Sequence, residues 1–238
     1  MKRKIIRIGR IVIFTVALKV VVIIGLLVLF SVYTNVPTGV DRQDKVVFEQ
    51  VLHLKPLRYP KTFADEIMVI RAIQQRTFEL APVGAGIPDF QPREPIDFLN
   101  KGEGLCFDRS RTTDKALQYT GLPSRHVYLL FRQGDQGFWK SLLAYRHPSH
   151  AVSEVKTSKG WMFIDSNSQW IGLTRDSLVV SADDILKRSA EFNSIPEYLN
   201  HPWWAIRGVY SRKGQLYPPY VLFPDLNWID FFSWLLVG

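Results

Sequence analysis

From Ile11 to Tyr33 the chain runs for 23 residues with a single charge, Lys19. A helix needs about 20 apolar residues to cross the hydrocarbon core of a bilayer, so this run is long enough. Lys19 stands eight residues from its start and can reach the headgroups along its own alkyl stem. A cleaved signal peptide is the rival reading. Its apolar region is usually about 7–15 residues long and ends in a small-x-small site. Phe30-Ser-Val-Tyr-Thr-Asn35 offers no such site, so residues 11–33 are expected to be an uncleaved anchor. The flank before it, residues 1–10, carries Lys2, Arg3, Lys4, Arg7 and Arg10, and no acid occurs before Asp41. Basic flanks stay in the cytoplasm, which sends everything after Tyr33 across the membrane. In a bacterium this makes a single-pass inner-membrane protein whose folded domain lies in the periplasm.

The same flank accounts for most of the net charge of +8. With its five cations and Lys19 set aside, 24 basic residues face 22 acidic ones. The body is thus nearly neutral and shows no Lys/Arg cluster, which excludes a nucleic-acid partner. Its length suits one domain with a core of its own. Residues 34–61, with prolines at 37, 56 and 60, read as a linker. Residues 62–200 read as the domain, and 201–238 as a Trp- and Pro-rich extension packed on it. Phe63 to Leu80 carries apolar residues at helical spacing, including Phe63, Ile67, Ile70, Ile73 and Leu80. Ala81 to Pro95 is loop, and Ile96 to Leu99 is a turn of helix at most. Arg125 to Arg132 reads as a buried strand, and Phe138 to Tyr145 as another. Ser181-Ala-Asp-Asp184 caps a helix running to about Glu191.

The only cysteine, Cys106, follows the glycine-bearing loop Asn100 to Leu105 and opens a helix that ends at Gly121-Leu-Pro123. Unpaired N–H groups and the positive dipole end of a helix favour an anion there. A thiol so placed has a lowered pKa, and the thiolate is the reactive form. Buried free cysteines are also common as small hydrophobes, and this stretch alone fits both readings. One cysteine cannot form an internal disulfide, so an unpaired thiol on the far side of the membrane hints at chemistry.

His150 to Val155 and Trp161 to Asp165 flank Lys156-Thr-Ser-Lys-Gly160, a hairpin signal. With Ser158 and Lys159 central to the turn, Thr157 faces Gly160, Val152 faces Asp165 and His150 faces Asn167. His150 and Asp165 then lie on one face as diagonal neighbours. A carboxylate there can orient an imidazole that acts as base to a nearby thiol. A polar pair that only stabilises the sheet would use the same geometry.

Taken together, Gly104-Leu-Cys-Phe-Asp-Arg-Ser110, Gly121-Leu-Pro-Ser-Arg125, His150-Ala-Val-Ser-Glu-Val155 and Gly160-Trp-Met-Phe-Ile-Asp165 resemble the transglutaminase-like superfamily, over roughly Phe63 to Asn167. The resemblance implies an α+β, papain-like fold with the nucleophile helix packed on an antiparallel sheet, here preceded by one transmembrane helix. It also implies Cys106 as nucleophile, His150 as general base and acid, and Asp165 as orienting acid. Val152 departs from the family pattern, which carries an aromatic there. The expected activity is thiol acyl transfer on a protein or peptide substrate in the cell envelope, most simply by a cysteine peptidase or amidase. A true transglutaminase would use an amine in place of water, and a non-catalytic binding domain is the alternative of another class. The Cys106 N–H would hold the oxyanion, with Gln91 and Asn100 as candidate second donors. His147 and His150 lie three apart on a strand, on opposite faces, with no acid or Cys at ligand spacing, so no metal is expected, nor any cofactor. Arg125 reads as an ion-pair partner, and Asp108 as a first-turn acid suited to the helix dipole.

Overall fold

The computed structural model describes residues 2–56, 62–188, 192, 195–216 and 224–237. They form two compact units, Met1–Asn35 and Val36–Gly238. The first is helix α1 (Lys2–Tyr33), whose stretch Ile13–Tyr33 is long and apolar enough to cross a membrane. That description fits a membrane span and a signal sequence alike.

In the second unit, α2 (Arg42–Gln50), α3 (Phe63–Leu80), α4 (Pro95–Lys101) and α5 (Cys106–Tyr119) precede the first strand. There follow β1 (Ser124–Phe131), α6 (Phe138–Leu143), β2 (Ser149–Thr157), β3 (Gly160–Ile164), α7 (Ala182–Arg188), a 3-10 turn (Glu197–Asn200), β4 (Trp203–Arg207) and α8 (Trp228–Val237). The strands form one antiparallel sheet in the order β3-β2-β1-β4. The fold is thus α+β, as expected.

Period-2 patterning sends the strand side chains into different clusters. Val155, Met162 and Ile164 pack with Phe48, Ile70 and Leu117 from α2, α3 and α5. Val127, Leu129, Val152 and Phe163 pack with Ile185 and Leu199. Tyr128, Leu130 and Ile206 pack with Leu142 and Phe231 from α6 and α8. The hairpin register matches its expectation, with Thr157 opposite Gly160 and Ser153 opposite Ile164. Gly160 takes φ +130°, a backbone region nearly closed to other residues.

Four expectations require correction. The supposed linker 34–61 contains α2, capped reciprocally by Asp41 and Asp44, and it buries Val47, Phe48 and Leu52 in the core. Residues 57–61 lie outside the described residues. The extension 201–238 is no appendage, because β4 pairs with β1 and completes the sheet. Phe138 to Tyr145 is helical over Phe138–Leu143, since Phe138 and Leu142, four apart, share the apolar cluster beneath α8. Ile96 to Leu99 lies within two full turns, Pro95–Lys101, started by a proline and closed by Gly102 at φ +69°. The helix after Ser181 runs to Arg188, and its expected continuation over 189–191 lies outside the described residues.

Phe48 decides whether α2 is integral. Phe48→Ala is expected to lower stability by about 3–5 kcal/mol, read by denaturant unfolding of the full chain. A loss near zero would return residues 34–61 to the status of a tether.

Candidate active site

The site begins with a loop that glycine alone can fill. A Cβ on Gly104 would meet Phe98 Cε2 at 2.2 Å, well inside contact distance. Without it, the Gly104 N–H donates to Pro82 O at 3.0 Å and its carbonyl accepts from the Gly84 N–H at 3.1 Å, fixing the approach to α5. Asp108 then caps the helix, accepting from the Leu105 N–H at 2.9 Å, and is held by the buried Arg93 guanidinium at 2.6 Å. The expected first-turn acid is therefore also half of a buried ion pair. Cys106 is the first residue of the helix and is only partly covered.

His150 enters from the start of β2 and Asp165 from the residue after β3. His150 Nε2 lies 2.9 Å from Asp165 Oδ1. Asp165 also accepts from the Asn167 N–H at 2.9 Å and from Ser168 Oγ at 2.6 Å. With Nε2 engaged by Asp165, Nδ1 is the ring nitrogen left for the interaction of His150 with the Cys106 sulfur. Tyr198, from the 3-10 turn, covers the imidazole edge-on at 4.8 Å between ring centres.

Electrostatics poise these groups as a charged pair. Burial disfavours a thiolate at Cys106, but the His150 ring, the Ala151 backbone N–H and the Arg109 guanidinium outweigh it and hold the thiol below its ordinary range. Burial also opposes charge on His150, yet Asp165 and the adjacent sulfur raise its pKa to about 9. Asp165, desolvated as well, is held below the usual carboxylate range by His150, Ser168 and Asn167. Between the lowered thiol value and about 9, sulfur is thiolate and imidazole is cation.

The three expected residues thus come together, and others join them that the sequence left unremarked. Buried Arg109 donates to Gly104 O at 2.6 Å, to Ser166 O at 2.5 Å and to Asn167 Oδ1 at 2.5 Å. It ties the loop before Cys106 to the loop that carries Asp165. Gln74 of α3 pins the latter loop again, donating to the carbonyls of Asp165, Ser168 and Trp170 at 2.9–3.1 Å. A cavity of about 150 Å³ opens beside Cys106, lined by Tyr128, Ser149, Ser211 and Lys213 among others. Gln91 and Asn100 line a different depression with Ile87 and Asp97, so neither reaches the sulfur's cavity. His147 is turned away, donating from Nε2 to Phe131 O at 2.6 Å. Arg125 pairs with Glu154 at 2.7 Å and lies over Trp161, as the ion-pair reading expects.

Residues 64–166 match the transglutaminase-like superfamily. The chain carries a transglutaminase-like domain. Its matched span contains Cys106, His150 and Asp165, and its ends fall within α3 and just past β3. Among solved structures, a "Putative Cysteine Protease" from Cytophaga hutchinsonii is similar at 13% identity and a TM-score of 0.35, over 58% of this chain. The chain spans 40% of the length of that protein. No curated protein matches the sequence.

Within the transglutaminase-like domain His150 is among the causes that lower the Cys106 thiol, so Cys106 reactivity is expected to depend on it. Iodoacetamide alkylation of Cys106 should rise with pH through a midpoint below that of a free thiol, because thiolate is present above the lowered pKa and lost beneath it. His150→Ala leaves burial uncompensated, moves that midpoint upward, and slows labelling at neutral pH by about tenfold or more. Equal rates in the two proteins would remove the coupling.

Proposed function

We propose that this chain is a membrane-anchored thiol acyl-transfer enzyme, a cysteine peptidase or amidase working on protein or peptide substrates of the cell envelope. The observation that carries the reading is His150, bonded to Asp165 on one side and adjacent to the Cys106 sulfur on the other, inside a transglutaminase-like domain. Support for the anchor comes from the apolar stretch Ile13–Tyr33 behind a basic flank, which orients the domain away from the cytoplasm, to the periplasm in a bacterium.

In the proposed reaction the Cys106 thiolate attacks an amide carbonyl carbon, and the carbonyl electrons move to oxygen. The Cys106 N–H at the helix start meets that oxyanion. Tyr128 takes the second donor position in place of Gln91 and Asn100. Its hydroxyl accepts from the Gly214 N–H at 2.9 Å, which leaves its own proton to give, and burial raises its pKa to about 12, keeping it protonated. The His150 cation passes its proton to the departing nitrogen as the C–N bond breaks and a thioester forms. Neutral His150 next takes a proton from water, which attacks the thioester and releases the acid and the Cys106 thiolate, restoring the ion pair. Asp165 keeps the ring in register throughout.

Envelopes from cells expressing the wild type and Cys106→Ala, compared for cleaved proteins, test the reading. Cleavage should fall by about 10⁴-fold or more in Cys106→Ala and in His150→Ala. Cross-linked products in place of cleaved ones would replace water with an amine acceptor, and identical envelopes would end the enzymatic reading. Tyr128→Phe should lower kcat by roughly 10²–10³-fold with KM little changed. A kcat equal to wild type would exclude the hydroxyl as an oxyanion donor.

A further inference from the structure

Helix α8 is apolar on both sides, and among the described residues only one side packs inside the fold. Phe231 is buried, and Trp234 stands over Phe138 of α6 at 5.8 Å between ring centres. On the other side Ile229 is 75% exposed, Phe232 48% and Leu236 84%, a stripe at i, i+3 and i+7. The helix carries one charge, Asp230 in its first turn. Trp139 of α6, 55% exposed, lines a groove with Leu235 and Val237, so the apolar surface continues from one helix to the other. Exposed cations rim it. Arg132 and Lys187 line the same groove, while Lys140 and Arg146 flank the exposed Leu143 and Tyr145. Apolar and aromatic side chains edged by Lys and Arg match the depth profile of an anionic bilayer interface.

The chain's own connectivity selects the occupant. Val36, three residues beyond Tyr33, donates to Leu226 O at 2.8 Å and accepts from Asn227 Nδ2 at 2.9 Å. The polypeptide therefore enters the folded unit at the two residues just ahead of α8. Three residues reach about 10 Å at most. With Ile13–Tyr33 embedded, so short a covalent connection tethers the unit that carries α8 near the bilayer surface. We infer that the exposed stripe of α8, with Trp139 of α6, docks into the surface of the membrane that holds the anchor. The inference rests on the anchor reading and adds a second, interfacial attachment that holds the domain against the lipid.

All seven tryptophans lie beyond residue 138, so tryptophan emission reports the folded unit and not α1. The full chain is reconstituted in phosphatidylcholine–phosphatidylglycerol vesicles whose acyl chains are brominated near the headgroup. Bromine quenches only at short range. Trp139 and Trp228, the latter stacked on Phe232 at 5.7 Å, should be quenched in the wild type. The triple variant Ile229→Ser/Phe232→Ser/Leu236→Ser should lose most of that quenching while its Cys106 alkylation rate, the check on folding, stays at the wild-type value. Carbonate extraction reads the anchor separately: release of the wild type would overturn the anchor while quenching still decides the docking. Absent quenching in the wild type, equal quenching in the triple variant, or cross-linked dimers without quenching would overturn the docking.

Discussion

The buried Arg109 guanidinium is the constraint on which the site depends. A helix bearing the sulfur and a sheet bearing the imidazole and carboxylate have no intrinsic reason to meet at hydrogen-bond precision. Arg109 supplies one, because its three nitrogens bond the carbonyl just before Cys106 and the loop just after Asp165. The planar fork accepts no other arrangement of three acceptors without leaving a buried donor unmet. Its charge also acts on the sulfur, favouring the thiolate at the place where burial alone would suppress it.

Helix α5 as a whole is built in this manner. Every residue from Phe107 to Leu117 is buried, although five of them are charged. Arg93 answers Asp108, Glu94 answers Arg111, and Lys115 lies between Asp44 and Glu94 at 2.7 Å from each. Buried pairs of this kind add little net stability over an apolar core, since desolvation offsets the attraction, but breaking one is strongly destabilising. Their effect is to fix register: α2 and α4 can pack on α5 in only one alignment, and the thiol at its tip is fixed with them. That alignment is why α2, whose last residue Gln50 lies 56 residues before Cys106, belongs to the fold as firmly as the sheet.

Much of this was legible in the chain itself. The bounds of α3, Phe63–Leu80, follow from its apolar spacing, and the structure adds the reciprocal cap of Thr62 and Asp65 at its start. Parity in a two-residue turn was enough to bring His150 and Asp165 to one face. A helix that starts at a lone cysteine after a glycine loop also read correctly. The sequence was silent where the deciding partner is distant. Trp203 to Arg207 becomes a strand only by pairing with β1, some 75 residues earlier in register, and nothing local demands it. Arg109 and Lys115 look like solvent-facing charges because most of their acceptors are distant in sequence: Ser166 and Asn167 for Arg109, Asp44 of α2 and Glu94 ahead of α4 for Lys115. Gln91 and Asn100 were suggested by residue type alone, and the cavity beside Cys106 is instead lined by Tyr128, an apolar-looking member of a buried strand.

The central claim is that sulfur, imidazole and carboxylate form one electrostatic unit, and the titration of His150 tests it most directly. Followed by NMR of the ring carbons in the full chain, His150 should stay protonated up to about 9. In Cys106→Ala it should titrate lower, because the thiolate that stabilises the cation is gone. A His150 midpoint at the ordinary 6.5, unmoved by Cys106→Ala, would contradict the account.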